Sequence, residues 1–520
     1  MRRPSNIDAG ANCWRDARKI GLILAFVTCT PLAAEPASRS LQPEATAQAR
    51  PLPAVDALLY RRIFERIELG DLSAVAPLVV AIEDRRLLPD VEARLLLASG
   101  ASAPWARWSD WLARNREHPL APQIHRRAQG LRPANAASPP APPPSPPAFG
   151  FGDEDVAWRG RSVGDGWAAG LAAWKAGRQQ EALSHFERAA RTPELSAWGV
   201  AGASFWAARA ALALGDSAKA ARWFERAAET PQSFYGLIAR RQLGLDPGFD
   251  WTRPEPTPAE MRDWLAQPGA ERALLLAQVG RGAGAEEALR QLVGRLPDNL
   301  LPMAAIVAER AGAPSLAMRL AQRVEKQTGQ RIDAALYPLL PWSPQTGYRV
   351  NRAMLASIAR IESGFDPKAR NGKSGATGLM QLMPMTARAM GAQAGLPASD
   401  RHLLDPSANL GLAQEYLDLL LGHERIRGNL LHMAVAYNLG VAGMSRVQER
   451  IGGSDPLLAI EMLPNAENRL FAQRVLATFW IYQMRLGQPT ESLDELAQGR
   501  WPIYGVDEDQ GELAQYHDRK

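Results

Sequence analysis

The chain has 520 residues, 60 Lys and Arg against 55 Asp and Glu, and two cysteines. Its length accommodates about three domains at roughly 100–200 residues each, and an apolar share of 46% suffices for large cores. Two cysteines exclude a disulfide scaffold and a cysteine-based structural zinc site, and no apolar run reaches the ~20 residues that span a bilayer, which excludes a polytopic membrane protein.

Residues 1–34 read as a secretory signal peptide. Arg2, Arg3, Arg15, Arg18 and Lys19 precede the short apolar stretch Ile20–Val27, and small residues close it at Ala34. Removing the leader lowers the net charge from +5 to +2, so the high isoelectric point is no argument for nucleic acid. Both cysteines, Cys13 and Cys29, leave with it. Lipid anchoring at Cys29 has a poor lead-in in Phe26-Val27-Thr28.

An N-terminal helical region is expected over 35–132, where apolar residues recur at spacings of three and four. A Pro-rich linker follows at 133–152, because proline neither extends a helix nor donates in a sheet. From 153 to 336 the pattern is helical repeats. Gly177, Ala182, Phe186, Ala189 and Ala190 recur 38 residues later as Gly215, Ala220, Phe224, Ala227 and Ala228. Helix, Gly turn, helix units of this kind stack into solenoids. Gly280-x-Gly282-x-Gly284 falls in a repeat turn and is read as structural. Prolines 338, 341 and 344 mark a boundary, with a further domain over 337–490 and a polar C-terminal tail over 491–520.

Chemistry concentrates in that domain. The spacing predicts a helix over 351–363, with Gly364 as its stop. Leu355 and Ile358 share a face with Glu362, in the last turn. The helix dipole and apolar surroundings both favour a protonated carboxyl there. A Gly-rich loop follows, Asn371 to Gly378, then Leu379-Met380-Gln381-Leu382-Met383-Pro384. It is not a phosphate loop, since Pro367 takes the place of the first required glycine. Tyr437 and Asn438 sit at a helix end, and residues 461–469 open another helix reaching Arg485. Asp366, before Pro367, suits a turn. No HExxH and no EF-hand loop appears, and neither metal nor cofactor is expected.

Four motifs in this order resemble the Slt-type soluble lytic transglycosylases. They are Glu362-Ser363, the Gly-Leu-Met-Gln-x-Met-Pro run at 378–384, Ala-Tyr-Asn at 436–438 and Glu-x-x-Pro-x-x-Glu-x-Arg at 461–469. Ser233-Phe234-Tyr235-Gly236 is similar to part of the same consensus. The chain departs from the family by a longer loop before Gly375, by Leu439 for Ala and by Asn468 for Thr. The resemblance implies a mainly all-α fold, a helical-repeat superhelix followed by a lysozyme-like catalytic domain. It implies Glu362 as catalytic acid and base. Ser363, Ser374, Met380, Gln381, Tyr437 and Asn438 are implied to line a sugar groove, with Glu467 as a supporting carboxylate.

The implied substrate is peptidoglycan glycan strands in the periplasm. The implied reaction breaks the bond between N-acetylmuramic acid and N-acetylglucosamine without water, leaving a 1,6-anhydro ring. One carboxyl suffices if the substrate's own N-acetyl group stabilises C1, unlike the paired carboxylates of ordinary glycosidases. Two alternatives stand beside it: a hydrolytic muramidase on the same fold, and a helical scaffold that binds glycan without cutting it. The repeats and Pro-rich linker suit a cell-envelope protein partner.

Overall fold

A computed structural model describes residues 51–144, 164–193, 195–451 and 455–505. The expected leader, with Cys13 and Cys29, lies outside them. Among the described residues there are helices and isolated bridges but no β-strand. The helices are α1 (Ala54–Glu68), α2 (Val75–Val80), α3 (Leu88–Ser99), α4 (Trp105–Arg114), α5 (Ala121–Leu131), α6 (Trp167–Lys175), α7 (Gln179–Ala190), α8 (Ala197–Ala213), α9 (Ser217–Ala228) and α10 (Phe234–Gln242). There follow α11 (Pro258–Leu265), α12 (Ala270–Gln278), α13 (Gly282–Val293), α14 (Leu301–Arg310), α15 (Pro314–Thr328) and α16 (Asp333–Leu336). The last stretch holds α17 (Arg352–Glu362), α18 (Pro384–Ala394), α19 (Asp400–Leu403), α20 (Pro406–Gly422), α21 (Leu430–Ile451), α22 (Pro456–Glu461), α23 (Ala466–Arg485) and α24 (Glu491–Ala497).

The contacts form two compact units. One holds α1–α5 and α11–α16, the other α6–α10 and α17–α24. The repeats expected as one body over 153–336 therefore divide at residue 249/250.

In the first unit Tyr60, Ile63, Phe64 and Val91 bury against Leu275, Leu276 and Val279, a core closed across widely separated sequence. A second cluster centres on Trp108, Trp111, Leu112 and Ile124. Asp90 is only 1% exposed and accepts a forked pair of bonds from Arg272 at 2.9–3.0 Å. A paired guanidinium offsets the cost of burying that carboxylate. Gly282 opens α13 with its Cα against a neighbouring turn: a Cβ there would fall 2.2 Å from the Ala311 carbonyl oxygen. That close approach is the physical reason for the central glycine of the Gly280-x-Gly282-x-Gly284 run.

In the second unit the 38-residue repeat appears as α6–α7 and α8–α9, with Phe186 and Phe224 buried between helices. Helix α10 packs onto α23 and α24. Phe234 stacks on Trp480 at 5.5 Å, and the Gln242 amide donates to the Ala497 carbonyl. The polar tail expected from residue 491 is instead packed as far as Tyr504. Ser492, Leu493 and Leu496 are buried, and Leu430 N donates to Pro502 O while Asn351 N donates to the Tyr504 hydroxyl. Acids and turn residues dominate the composition there, but the inward face of α24 is apolar.

Candidate active site

Helix α17 begins where Asn351 Oδ1 accepts from Ala353 N, a side-chain cap for an otherwise orphaned donor. Its buried face carries Met354, Leu355, Ile358 and Ala359. Ser357 Oγ donates to Val475 O at 2.8 Å, fixing α17 to α23. The helix stops through Gly364 and Phe365, both with positive φ (57° and 66°). A phenylalanine pays for that backbone, and its ring is fully buried in return.

Glu362 ends α17. It is half-buried, and burial alone lifts its carboxyl to about 8. At neutral pH it therefore holds a proton. Tyr437 stands beside it. Burial first, then the neighbouring Glu362 carboxyl, push the phenol well above its ordinary range. The Tyr437 ring lies between Tyr416, at 5.5 Å, and Phe471, at 6.4 Å and nearly parallel. Its hydroxyl donates to Met380 O at 2.8 Å. With the proton so committed, the oxygen lone pairs remain to face a developing positive charge.

The Gly-rich loop folds on itself. Gly375 N donates to Asn371 O, Asn371 N to Ala376 O, and Thr377 and Leu382 exchange backbone bonds. These donors are spent internally, consistent with a scaffold rather than a phosphate cradle. Gly378 has φ 84°, and a Cβ there would fall 1.9 Å from Leu403 O; only glycine fits. Asn409, fully buried on α20, holds the loop from below. Its Oδ1 accepts from Met380 N at 2.8 Å, and its Nδ2 donates to Thr377 O and Leu403 O.

Three of the expected groove residues are hydrogen-bonded within this arrangement. Met380 is fully buried; Asn409 pins its backbone, and its carbonyl accepts from the Tyr437 hydroxyl. Gln381 adopts φ 46° and spends both amide hydrogens on Ala369 O and Gly378 O. Ser363 Oγ donates to Leu379 O at 2.7 Å, tying the end of α17 to the loop. Ser374, Asn438 and Glu467 are exposed; Ser374 belongs to the bonded loop, its N–H donating to Asn371 Oδ1 and its Oγ accepting from Ala376 N. Asn438 precedes a break in α21 at Gly440 (φ 72°, ψ 162°), and Glu467 N donates to the capping Asn465 Oδ1. Asp366 caps its own turn, its Oδ1 accepting from Lys368 N.

Two buried polar residues were not singled out as site residues by the sequence. Asn409 is one. The other is Glu461, the first carboxylate of the 461–469 signature, 4% exposed and raised in pKa chiefly by burial. Both lie on the apolar register of a helix, Asn409 with Leu412 and Ala413, Glu461 with Leu457 and Ile460. A polar side chain at such a register was the available signal. Among the described residues no cluster of three or more His, Cys, Asp or Glu side chains could hold a metal ion, and no helix is long and apolar enough to cross a membrane.

The second unit is thus a helical domain built round one protonated carboxyl at a helix terminus. Residues 342–456 match the family described as the transglycosylase SLT domain. The soluble lytic murein transglycosylase of Escherichia coli K12 is 30% identical over 161 residues, 30% of this chain and 24% of that protein. The Salmonella typhimurium protein of the same description is 31% identical over 148 residues, 27% of this chain and 22% of its own length. The matched stretch thus spans about a quarter of these relatives. The 70 kDa soluble lytic transglycosylase structure from Escherichia coli superposes with a TM-score of 0.51 at 19% identity, covering 84% of this chain and 74% of that one. The lytic transglycosylase Slt structure from Pseudomonas aeruginosa gives 0.50 at 19%, covering 88% and 73%. At that identity the structural likeness speaks for the fold. The family match is thus confined to residues 342–456, and the likeness of the rest of the chain to these structures is one of fold.

Proposed function

We propose that this protein is a lytic transglycosylase. It cleaves the β-1,4 bond between N-acetylmuramic acid and N-acetylglucosamine in peptidoglycan and leaves 1,6-anhydro-muramic ends. The observation that carries this reading is Glu362, a carboxyl kept protonated near neutral pH by burial and neighboured by Tyr437, whose hydroxyl donates to Met380 O.

Glu362 donates its proton to the glycosidic oxygen as the C1–O bond breaks. The N-acetyl carbonyl oxygen of the muramic acid closes on C1 and carries the positive charge as an oxazolinium. Glu362, now a carboxylate, takes the proton of the C6 hydroxyl. O6 attacks C1, the carbonyl oxygen leaves, and the 1,6-anhydro ring closes with the carboxyl reprotonated. The Tyr437 oxygen stabilises the charge near C1. Ser374, Asn438 and Glu467, being exposed, are the candidates for sugar contacts. Ser363, Met380 and Gln381 act through the backbone they hold.

The leader read over 1–34 and the peptidoglycan substrate together favour a periplasmic site of action. The domain scheme favoured is a helical-repeat region followed by a catalytic domain from about residue 337. The test is mass spectrometry of purified peptidoglycan digested with the mature chain. Muropeptides ending in anhydro-muramic acid, absent with Glu362→Gln, are the expected result. Reducing ends would make the protein a hydrolase; binding without products would make it a scaffold.

A further inference from the structure

Two sequence features take no part in that chemistry: Ser233-Phe234-Tyr235-Gly236 on α10, and Glu461 at the end of α22. In the structure they meet. The Tyr235 hydroxyl donates to Glu461 Oε1 at 2.5 Å and accepts from Trp206 Nε1 at 3.0 Å. Gln473 Nε2 donates to the same carboxyl oxygen at 2.7 Å. Arg469 Nη1 donates to the Glu461 carbonyl at 3.0 Å, and its Nε stands 3.5 Å from Oε2. Tyr235, Glu461 and Gln473 are all buried.

The other end of α22 is held from the same helices. Asp455 caps it, Oδ1 accepting from Leu457 N and Leu458 N, while Oδ2 accepts from Arg209 Nη2 at 2.8 Å. The Arg209 guanidinium lies over Trp174 at 4.7 Å and Trp206 at 4.5 Å. Trp206 therefore serves both ends, its ring facing Arg209 and its N–H bonding Tyr235.

Helix α22 has six residues, too few to hold a helical conformation by itself. Its place must come from its partners. The chain then runs through Met462–Asn465 into α23, which carries Glu467 in its first turn and Phe471 against the Tyr437 ring. A phenylalanine at 235 would fill the same space, so what the hydroxyl adds is the joint to Glu461. The adjoining cavity, about 40 Å³ and lined by Trp198, Ser233, Glu461 and Arg474, has room for water but not for a sugar. A ligand site is thereby disfavoured.

We infer that Trp206, Arg209 and Tyr235 of the helical repeats clamp α22 at both ends and so position the turn bearing Glu467 and the Phe471 support of Tyr437. They are positioning residues, not catalytic ones. The inference rests on the lytic reading, because the kinetics of that reaction report the position of the turn.

The test uses the full mature chain with Tyr235→Phe, Glu461→Ala, both together, and Glu461→Gln, which keeps an acceptor for Tyr235. On soluble uncrosslinked glycan strands Tyr235→Phe lowers kcat about tenfold, as expected for a small displacement at a reacting centre, with KM within about twofold. Glu461→Gln keeps most of the rate. The double variant is no slower than Glu461→Ala, and the pH limb set by Glu362 does not move. Amide exchange of residues 462–470 accelerates in Tyr235→Phe while that of 352–362 is unchanged. Wild-type kcat in Tyr235→Phe, losses that multiply in the double variant, or unchanged exchange at 462–470 would overturn the clamp. If the wild type itself forms no anhydro product, the lytic reading fails, and the exchange comparison still decides the clamp.

Discussion

Replacing Glu362 by glutamine should abolish cleavage and stabilise the protein, and the second effect has a defined pH dependence. The ordinary glutamate value is 4.5 and the folded value about 8. Below 4.5 both the folded and unfolded chains hold the proton. Between 4.5 and 8 only the folded chain does, so wild-type stability falls as pH rises through that window; above 8 the penalty is constant. At about 1.4 kcal/mol per pH unit the cost reaches about 3 kcal/mol at pH 7. Glutamine fills the same space and carries no such cost. Equilibrium urea unfolding of wild type and Glu362→Gln, from pH 4.5 to 8, should give a stability difference that starts near zero and grows with that slope in favour of the variant. Two curves that run parallel across the window, or a variant less stable at pH 7, would show that burial does not hold the proton on Glu362. The same reasoning puts a fall in wild-type cleavage above about pH 8, as the acid loses the proton it must donate.

Tyr437→Phe keeps the ring stack on Tyr416 and Phe471 but removes the oxygen beside Glu362; kcat should fall by about 100-fold with little change in KM, read from initial rates of anhydro-product release. Asn409→Leu leaves Met380 N, Thr377 O and Leu403 O without their side-chain partner and should cost about 3 kcal/mol or more in urea unfolding, with cleavage lost as the loop shifts. Arg272→Ala removes the forked guanidinium from buried Asp90 in the other unit, leaving His118 Nε2 at 3.4 Å, and should cost about 3–5 kcal/mol, read from urea unfolding.

The helices that position the site were legible because each is punctuated by local chemistry. Asn351 caps α17, a stripe from Met354 to Ile358 buries it, and Gly364 stops it within one residue of the expected end. The break after Asn438 follows likewise from Gly440. The division of the repeats was not legible. Phe186 and Phe224 occupy the same place in successive units, and that pattern says how neighbours stack, not which distant segment covers the array. Phe234 against Trp480 decides that for α10, across nearly 250 residues of sequence.

The site divides along the same line. Glu362, Asn409 and Glu461 share one signature, a polar side chain at an apolar helical register, and spacing alone ranks them equally. Their partners separate them. Asn409 has three bonds to the loop 377–380 and Leu403, and Glu461 accepts from Tyr235 and Gln473 beside Arg469; a buried polar group so satisfied holds structure together. Among the described residues nothing donates to the Glu362 side chain, and burial alone moves its pKa. A carboxyl left without protein partners in a half-buried place costs stability, and that cost has a use only where the proton is to be given to something else. The distinguishing donors come from residues as far as 226 positions away. For that reason the bonds that hold Met380 and Gln381, through Asn409, Ala369 and Gly378, could not be read from the motif itself.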